Sequence, residues 1–170
     1  MKVLMIIPAY NEEESILNTV MSTVEYRKKV DFDLDYVVIN DGSVDRTKEI
    51  LDSHHLNAIH LVMNLGIGGA VQTGYKYALE KNYDVAVQFD GDGQHDIESL
   101  DALLEPIRRQ QADLVVGSRF IGDKSSEFQT TFMRRFGITI ISAFIKLTTG
   151  KRILDTTSGY RLANRYIIRQ

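Results

Sequence analysis

Five short apolar runs punctuate this chain, at 3–7, 36–39, 59–62, 85–89 and 114–116, and none alternates with polar residues. Unalternated β-rich runs of this length predict strands covered on both faces, as in a parallel sheet. Between them the apolar spacing turns helical. Residues 13–26 carry Ile16, Leu17, Val20, Met21 and Val24, and a short helix over 46–53 follows Asp45. Residues 69–81 place Ala70, Val71, Gly74, Tyr77 and Ala78 on one face, and 98–110 group Leu100, Leu103, Leu104 and Ile107. Strands alternating with helices in this way predict an α/β domain with a mostly parallel central sheet flanked by helices. Past residue 120 the pattern changes: a loop is predicted over 121–129, a helix over 131–147, and a polar turn at 155–162 leading into a short apolar stretch.

In such a sheet, ligands bind outside the carboxyl ends of the strands. The polar clusters of this chain fall there. Pro8-Ala9-Tyr10-Asn11-Glu12 follows the first predicted strand, Asn40-Asp41-Gly42-Ser43 the second, and Asn64-Leu65-Gly66-Ile67-Gly68-Gly69 the third. Asp90-Gly91-Asp92-Gly93-Gln94-His95 follows the fourth and Gly117-Ser118-Arg119 the fifth. One such cluster is ordinary turn chemistry. Five on one edge predict a ligand cleft.

The 170 residues suit one domain with one core, and 44% hydrophobic with 25% charged residues is an ordinary globular composition. There is no cysteine, which excludes disulfides and thiolate metal sites and fits a reducing, cytoplasmic setting. The opening apolar run is too short for a signal peptide, and no apolar segment reaches the roughly 18 residues of a membrane span. The net charge of −3 hides a split: residues 1–118 hold 10 Lys and Arg against 20 Asp and Glu, net −10, while 119–170 hold 10 against 3, net +7. Solvated surface charge accounts for such runs in general. A positive wall for a phosphate-bearing ligand is the second reading. No nucleic-acid partner is expected.

The most specific chemistry lies at Asp90-Gly91-Asp92. Two carboxylates spaced i, i+2 at the end of a buried strand repel each other unless a cation sits between them. Oxygen ligands suit Mg²⁺ or Mn²⁺, which take one or two carboxylates plus substrate phosphates. Gln94 and His95 follow within ligand reach. Asp-Gly alone is a turn former, so position rather than composition carries the metal reading. The Leu65–Gly69 stretch is not a dinucleotide fingerprint, because position 71 is Val and the run follows the third strand. Gly66 and Gly68 still allow close backbone approach, and the helix after them offers its amino end to an anion. Asp41 at a strand end can accept from a base or ribose, whereas Ser43 or Asp45, Asp45 above all, reads as a helix cap. Glu12 fits ribose or the helix amino end. Arg119, Arg134, Arg135 and Arg161 suit bidentate phosphate contacts, or are plain solvated cations. His54, His55 and His60 lack ligand spacing with the carboxylates and read as structural.

In order, these motifs resemble the family-2 inverting glycosyltransferases with the GT-A fold. Within that family the chain is most similar to the dolichyl-phosphate mannosyltransferase and bactoprenyl glucosyltransferase branch. The resemblance implies a UDP- or GDP-sugar donor, an Mg²⁺ or Mn²⁺ ion, and a lipid-phosphate or glycan acceptor. It implies that Pro8, Ala9, Tyr10, Glu12 and Asp41 hold base and ribose, with Gly66 and Gly68 beside the donor. It implies that Asp90 and Asp92 approach the metal and the diphosphate, and that Gln94 is a further metal ligand. Arg119, Arg134 or Arg135, and Arg161 would sit near donor and acceptor phosphates, and Asp155 near the acceptor as general base or clamp. Gly91 stands where the dolichyl-phosphate branch often has Ala.

The expectation is therefore one glycosyltransferase domain over 1–170. Residues 1–118 form its nucleotide- and metal-binding part and 119–170 a basic acceptor-side part. The chain stops at Gln170 without a Gly or Pro stop signal, so a parent that continues is expected. The resemblance leaves open a place at the cytoplasmic face of the membrane, with peripheral contact. Two rivals remain. A truncated or inactive nucleotide-sugar-binding module is one. A sugar nucleotidyltransferase is the other, although its Gly-rich, Arg-containing loop is missing after the first strand. The sugar, the base and the oligomeric state are not legible.

Overall fold

The computed structural model describes residues 1–90, 97–117 and 160–170. The predicted elements over 121–147 and the turn at 155–159 lie outside them. Met1–Val115 and Tyr160–Gln170 form one compact unit, and Val116–Gly159 is assigned to a second.

The sheet has six strands, β1 (Lys2–Ala9), β2 (Asp33–Asn40), β3 (Ala58–His60), β4 (Val85–Gln88), β5 (Leu114–Val116) and β6 (Arg161–Asn164), all within the first unit but for Val116 at the end of β5. Their spatial order is β3-β2-β1-β4-β6-β5. β1 pairs in parallel with β2 and with β4, and β2 pairs in parallel with β3. Only β6 runs antiparallel to β4, with Gln88 opposite Arg161 and Val85 opposite Asn164. The mostly parallel sheet is as expected. The inserted β6 is not: the polar stretch ahead of it masks a four-residue strand, whose Leu162 and Ala163 are buried. It displaces β5 to the edge.

Burial explains the unalternated runs. Val3, Met5 and Ile7 of β1 pack with Ile16, Val20, Leu100 and Leu104 on one face of the sheet. Leu4 and Ile6 pack with Ala70, Ala78 and Tyr83 on the other. Both faces are covered by helices: α1 (Ile16–Arg27), α2 (Thr47–Ser53), α3 (Gly66–Glu80) and α4 (Leu100–Arg108), the last preceded by a 3₁₀ turn at Ile97–Ser99. A short α5 (Arg165–Ile168) ends the chain. α3 lies so close to the sheet that a β-carbon at Gly74 would stand 2.3 Å from Ile6 Cγ2. α3 begins three residues before the predicted start, because Gly66–Gly68 already belong to its first turn. β3 is shorter than predicted: Leu61 donates its N–H to the Asn40 carbonyl at 2.9 Å, and Val62 beyond it is fully exposed.

Candidate functional site

The loops after β1, β2 and β3, with the end of β4, meet at the carboxyl edge of the sheet. They enclose a cleft of about 440 Å³ lined by Pro8, Ala9, Tyr10, Glu12, Asp41, Asn64, Gly66, Ile67, Ala70 and Asp90. Parallel register builds this convergence. Ala9 ends β1 opposite Asn40, the Asp41 N–H donates to the Ala9 carbonyl at 2.8 Å, and Phe89 donates to Ile6 at 2.9 Å. Asp41 and Asp90 are therefore carried to the same edge by the ends of β2 and β4, the two strands that flank β1.

Asp41 is 3% exposed. Its Oδ1 accepts from the Leu65 N–H at 2.7 Å, which ties the second loop to the third. One buried carboxylate oxygen is thus satisfied by the fold, and the other remains as an acceptor. Asn64 Oδ1 accepts from Gly66 N–H at 2.9 Å and steadies the entry to α3.

The first and second loops are stitched together by reciprocal bonds. Asn11, at a left-handed φ of 57°, donates its N–H to Ser43 Oγ at 3.0 Å, and its Oδ1 accepts from Val44 N–H at 2.9 Å. Glu12 N–H donates to the buried Thr47 Oγ1 at 2.8 Å. Asp45 accepts from Glu13 N–H at 3.1 Å and from Thr47 N–H at 3.0 Å, and Glu13 Oε2 accepts from Arg46 N–H at 2.9 Å. Burial pushes the Asp45 carboxyl up, but hydrogen bonds from the Thr47 hydroxyl and from backbone N–H groups outweigh it and hold the group below its ordinary value. The Glu12 carboxylate is oriented by the Ser15 hydroxyl, 2.6 Å from Oε2. Sequence reasoning singled out Glu12, Asp41 and the capping role of Asp45. It offered Ser43 as an alternative cap and gave Asn11, Thr47 and Asn64 no role of their own. The signal for them was chemical type: Asn tolerates the left-handed region, and Ser, Thr and Asn hydrogen-bond nearby backbone.

Arg161 opens β6 beside Gln88, two residues before Asp90. It also approaches α3: burial pushes the Tyr75 phenol up, and the Arg161 charge offsets part of that rise. Tyr160, one residue earlier, is buried edge-on against Phe89 with ring centroids 5.4 Å apart. So the base of the fourth strand's loop is clamped by β6.

Of the sequence-predicted residues, the structure brings together Pro8, Ala9, Tyr10, Glu12, Asp41, Gly66 and Asp90. Gly68 lies in the same helical turn as Gly66, exposed and off the cleft lining. Asp92, Gln94, Arg119, Arg134, Arg135 and Asp155 lie outside the described residues. Among the described residues no group of three or more His, Asp and Glu is placed to hold a metal. Asp90 does line the cleft, together with Glu12 and Asp41. An aspartate at the end of the fourth strand beside a ligand cleft fits a hard cation that draws its other ligands from phosphate and nearby oxygens.

Comparison with known proteins agrees with this geometry. The profile of the family described as Glycosyl transferase family 2 matches residues 5–170. An undecaprenyl-phosphate mannosyltransferase of Micrococcus luteus is 36% identical over 167 residues, covering 95% of this chain and 65% of that protein. A UDP-N-acetylglucosamine–dolichyl-phosphate N-acetylglucosaminyltransferase of Methanococcus voltae is 33% identical over 175 residues, covering 92% and 67%. The chain thus spans about two thirds of the length of these relatives. Among solved structures, glucosyl-3-phosphoglycerate synthase of Mycobacterium tuberculosis, crystallised with Mn²⁺, UDP-glucose and phosphoglyceric acid, superposes with a TM-score of 0.71. It covers 98% of this chain and 57% of that one at 19% identity, a likeness of fold, and the fold is GT-A. With the ordered motifs, the sheet and a profile running almost from end to end in agreement, the chain belongs to glycosyl transferase family 2.

Proposed function

We propose that this chain is the donor-binding and catalytic domain of a metal-dependent inverting glycosyltransferase. It would move a sugar from a nucleoside-diphosphate sugar to a polyprenyl phosphate. The observation that supports it most is the single cleft in which Pro8, Ala9, Tyr10, Glu12, Asp41, Gly66 and Asp90 converge. Asp41, tethered through Oδ1, offers Oδ2 to a base or ribose donor. Glu12, steadied by Ser15, is placed for a ribose hydroxyl. Asp90 marks the diphosphate end of the cleft, and Asp92 and Gln94, two and four residues on in the sequence, are the remaining candidate ligands of Mg²⁺ or Mn²⁺. When bound there, such an ion stabilises the negative charge that develops on the leaving diphosphate. Arg161, at the same strand end, adds positive charge on that side, with Arg119, Arg134 and Arg135 as further candidates. Asp155 takes the acceptor side.

A polyprenyl phosphate is favoured over a glycan as acceptor because the M. luteus and M. voltae relatives are named for lipid-phosphate acceptors. The net +7 of residues 119–170 suits an anionic acceptor. Among the described residues no helix is long and apolar enough to cross a membrane. Contact with the lipid at the cytoplasmic face is part of the same proposal. Family membership sets the nucleotidyltransferase alternative aside.

The test is calorimetry with UDP and GDP, with and without Mn²⁺, on wild type and Asp92→Asn. One nucleotide should bind wild type with Mn²⁺-dependent affinity, and the variant should lose that dependence while staying folded. Wild type that binds neither nucleotide, or a variant with undiminished metal dependence, would count against the reading.

A further inference from the structure

Behind the cleft, out of its lining, a histidine is wired to the turn that carries Asp41. Asn40 is 2% exposed. Its Oδ1 accepts from Ser43 N–H at 3.1 Å, so its Nδ2 is the end that faces His60 Nδ1 at 3.0 Å. An amide nitrogen only donates, and His60 Nδ1 must therefore be the bare, accepting nitrogen. The ring proton then sits on Nε2, which donates to Asp52 Oδ1 on α2 at 3.0 Å. Turning the Asn40 amide over would set its NH₂ against the Ser43 N–H and leave a buried donor unsatisfied.

The wiring reaches the cleft twice. Asn40 precedes Asp41, and its carbonyl accepts from Leu61 N–H at 2.9 Å, next in chain to His60. Ser43, held by the Asn40 side chain, accepts from Asn11 N–H and so holds the 8–12 segment. We propose that His60 is a positioning residue for donor binding: its bare Nδ1 fixes Asn40, and Asn40 fixes the 40–43 turn and the first loop around the nucleoside. This rests on the donor reading of the cleft given above.

Two substitutions separate the two ring nitrogens. Asn carries an acceptor oxygen where His carries Nδ1, and Gln carries a donor nitrogen where His carries Nε2. The nucleotide, UDP or GDP, is whichever binds wild type. His60→Asn should keep its affinity within about threefold, whereas His60→Gln, which strands the Asn40 donor, should lose about tenfold, the scale of one buried hydrogen bond. Melting curves of both variants fix the folded fraction, and long-range ¹H–¹⁵N correlation on wild type reads the tautomer directly. The expected result is an Nε2–H tautomer and a gap between the two variants on folded protein. An Nδ1–H or doubly protonated ring at neutral pH overturns the inference, and so do equal affinities in Asn and Gln variants of a wild type that binds. Wild type that binds neither nucleotide overturns the donor reading and the inference with it.

Discussion

A β-carbon at position 42 would sit 2.7 Å from the Met63 carbonyl carbon and 2.8 Å from the Asn64 nitrogen, both backbone atoms. Gly42 also holds a φ of 68°, the left-handed region that costs a side-chain-bearing residue roughly 1–2 kcal/mol. Gly66 has a φ of 77° but open space where its β-carbon would be. The two glycines therefore separate backbone strain from crowding. Gly66→Ala should cost stability on the order of 1–2 kcal/mol, from strain alone. Gly42→Ala should cost about 2–5 kcal/mol, because displacing a packed backbone adds to it. It should also weaken nucleotide binding, since the chain it pushes leads directly to the Leu65 N–H that holds Asp41. Denaturant midpoints and calorimetry on both variants check this, and equal costs at the two sites would mean the third loop yields freely. The sequence showed Gly42 as a turn residue. It could not show the Met63–Asn64 backbone lying against it, because that neighbour comes from the loop after β3, about twenty residues on.

At the level of elements, the cleft rests on the clasp between the loops after β1 and β2, and its most telling member is Asp45. The folded state holds the Asp45 carboxyl below its ordinary value of 3.8. A depressed carboxyl contributes stability that is fully present above the unfolded value and lost as pH falls through the folded one. Asp45→Asn should therefore be less stable than wild type at neutral pH, and the gap should close below pH 3.8. Urea midpoints taken from pH 7 to pH 3 measure it, and a gap that widens in acid would assign the sign wrongly. The same scale shows what was legible. The strands and helices flanking the clasp were readable because two-sided burial leaves unalternated runs and one-sided burial leaves a helical stripe. The helix ends were not. α2, α3 and α4 each stop at a left-handed residue, His55, Asn82 and Gln110. Each is followed by a backbone N–H reaching back into the last turn: Leu56 to Leu51, Tyr83 to Ala78 and Gln111 to Pro106. That closure usually announces itself with glycine, and here none of the three positions is glycine. β6 stayed hidden for a different reason, since its burial depends on pairing with a strand more than seventy residues earlier.

Across the whole molecule, the proposed function divides the chemistry between two stretches of chain. Residues 1–90 supply most of the donor cleft and carry net negative charge, while the candidate acceptor residues lie in the basic stretch 119–170. On that proposal an acidic donor half would need a cation before it accepts a diphosphate, whereas a basic acceptor half would attract an anionic acceptor unaided. The cleft itself was legible from the order of motifs, because each polar cluster follows a strand and parallel strands gather their ends at one edge. The proposed division also makes donor affinity and turnover separable by substitution. Asp155 is the place to separate them, as the one carboxylate in the Asp155–Arg161 segment. If it accepts a proton from, or clamps, the incoming nucleophile, Asp155→Asn keeps its shape and removes its charge without touching the donor cleft. Donor affinity should stay near wild type, and transfer to acceptor should fall about 10²–10⁴-fold, the usual range for a general base. A phosphate acceptor is already ionised, so with polyprenyl phosphate the loss should lie at the low end and show in the acceptor KM. With a neutral hydroxyl acceptor it should lie at the high end and show in kcat. Donor binding and turnover are measured on the same folded sample, with both kinds of acceptor. Full turnover with Asn at 155 would remove Asp155 from the chemistry and leave the arginines and the metal ligands to carry it.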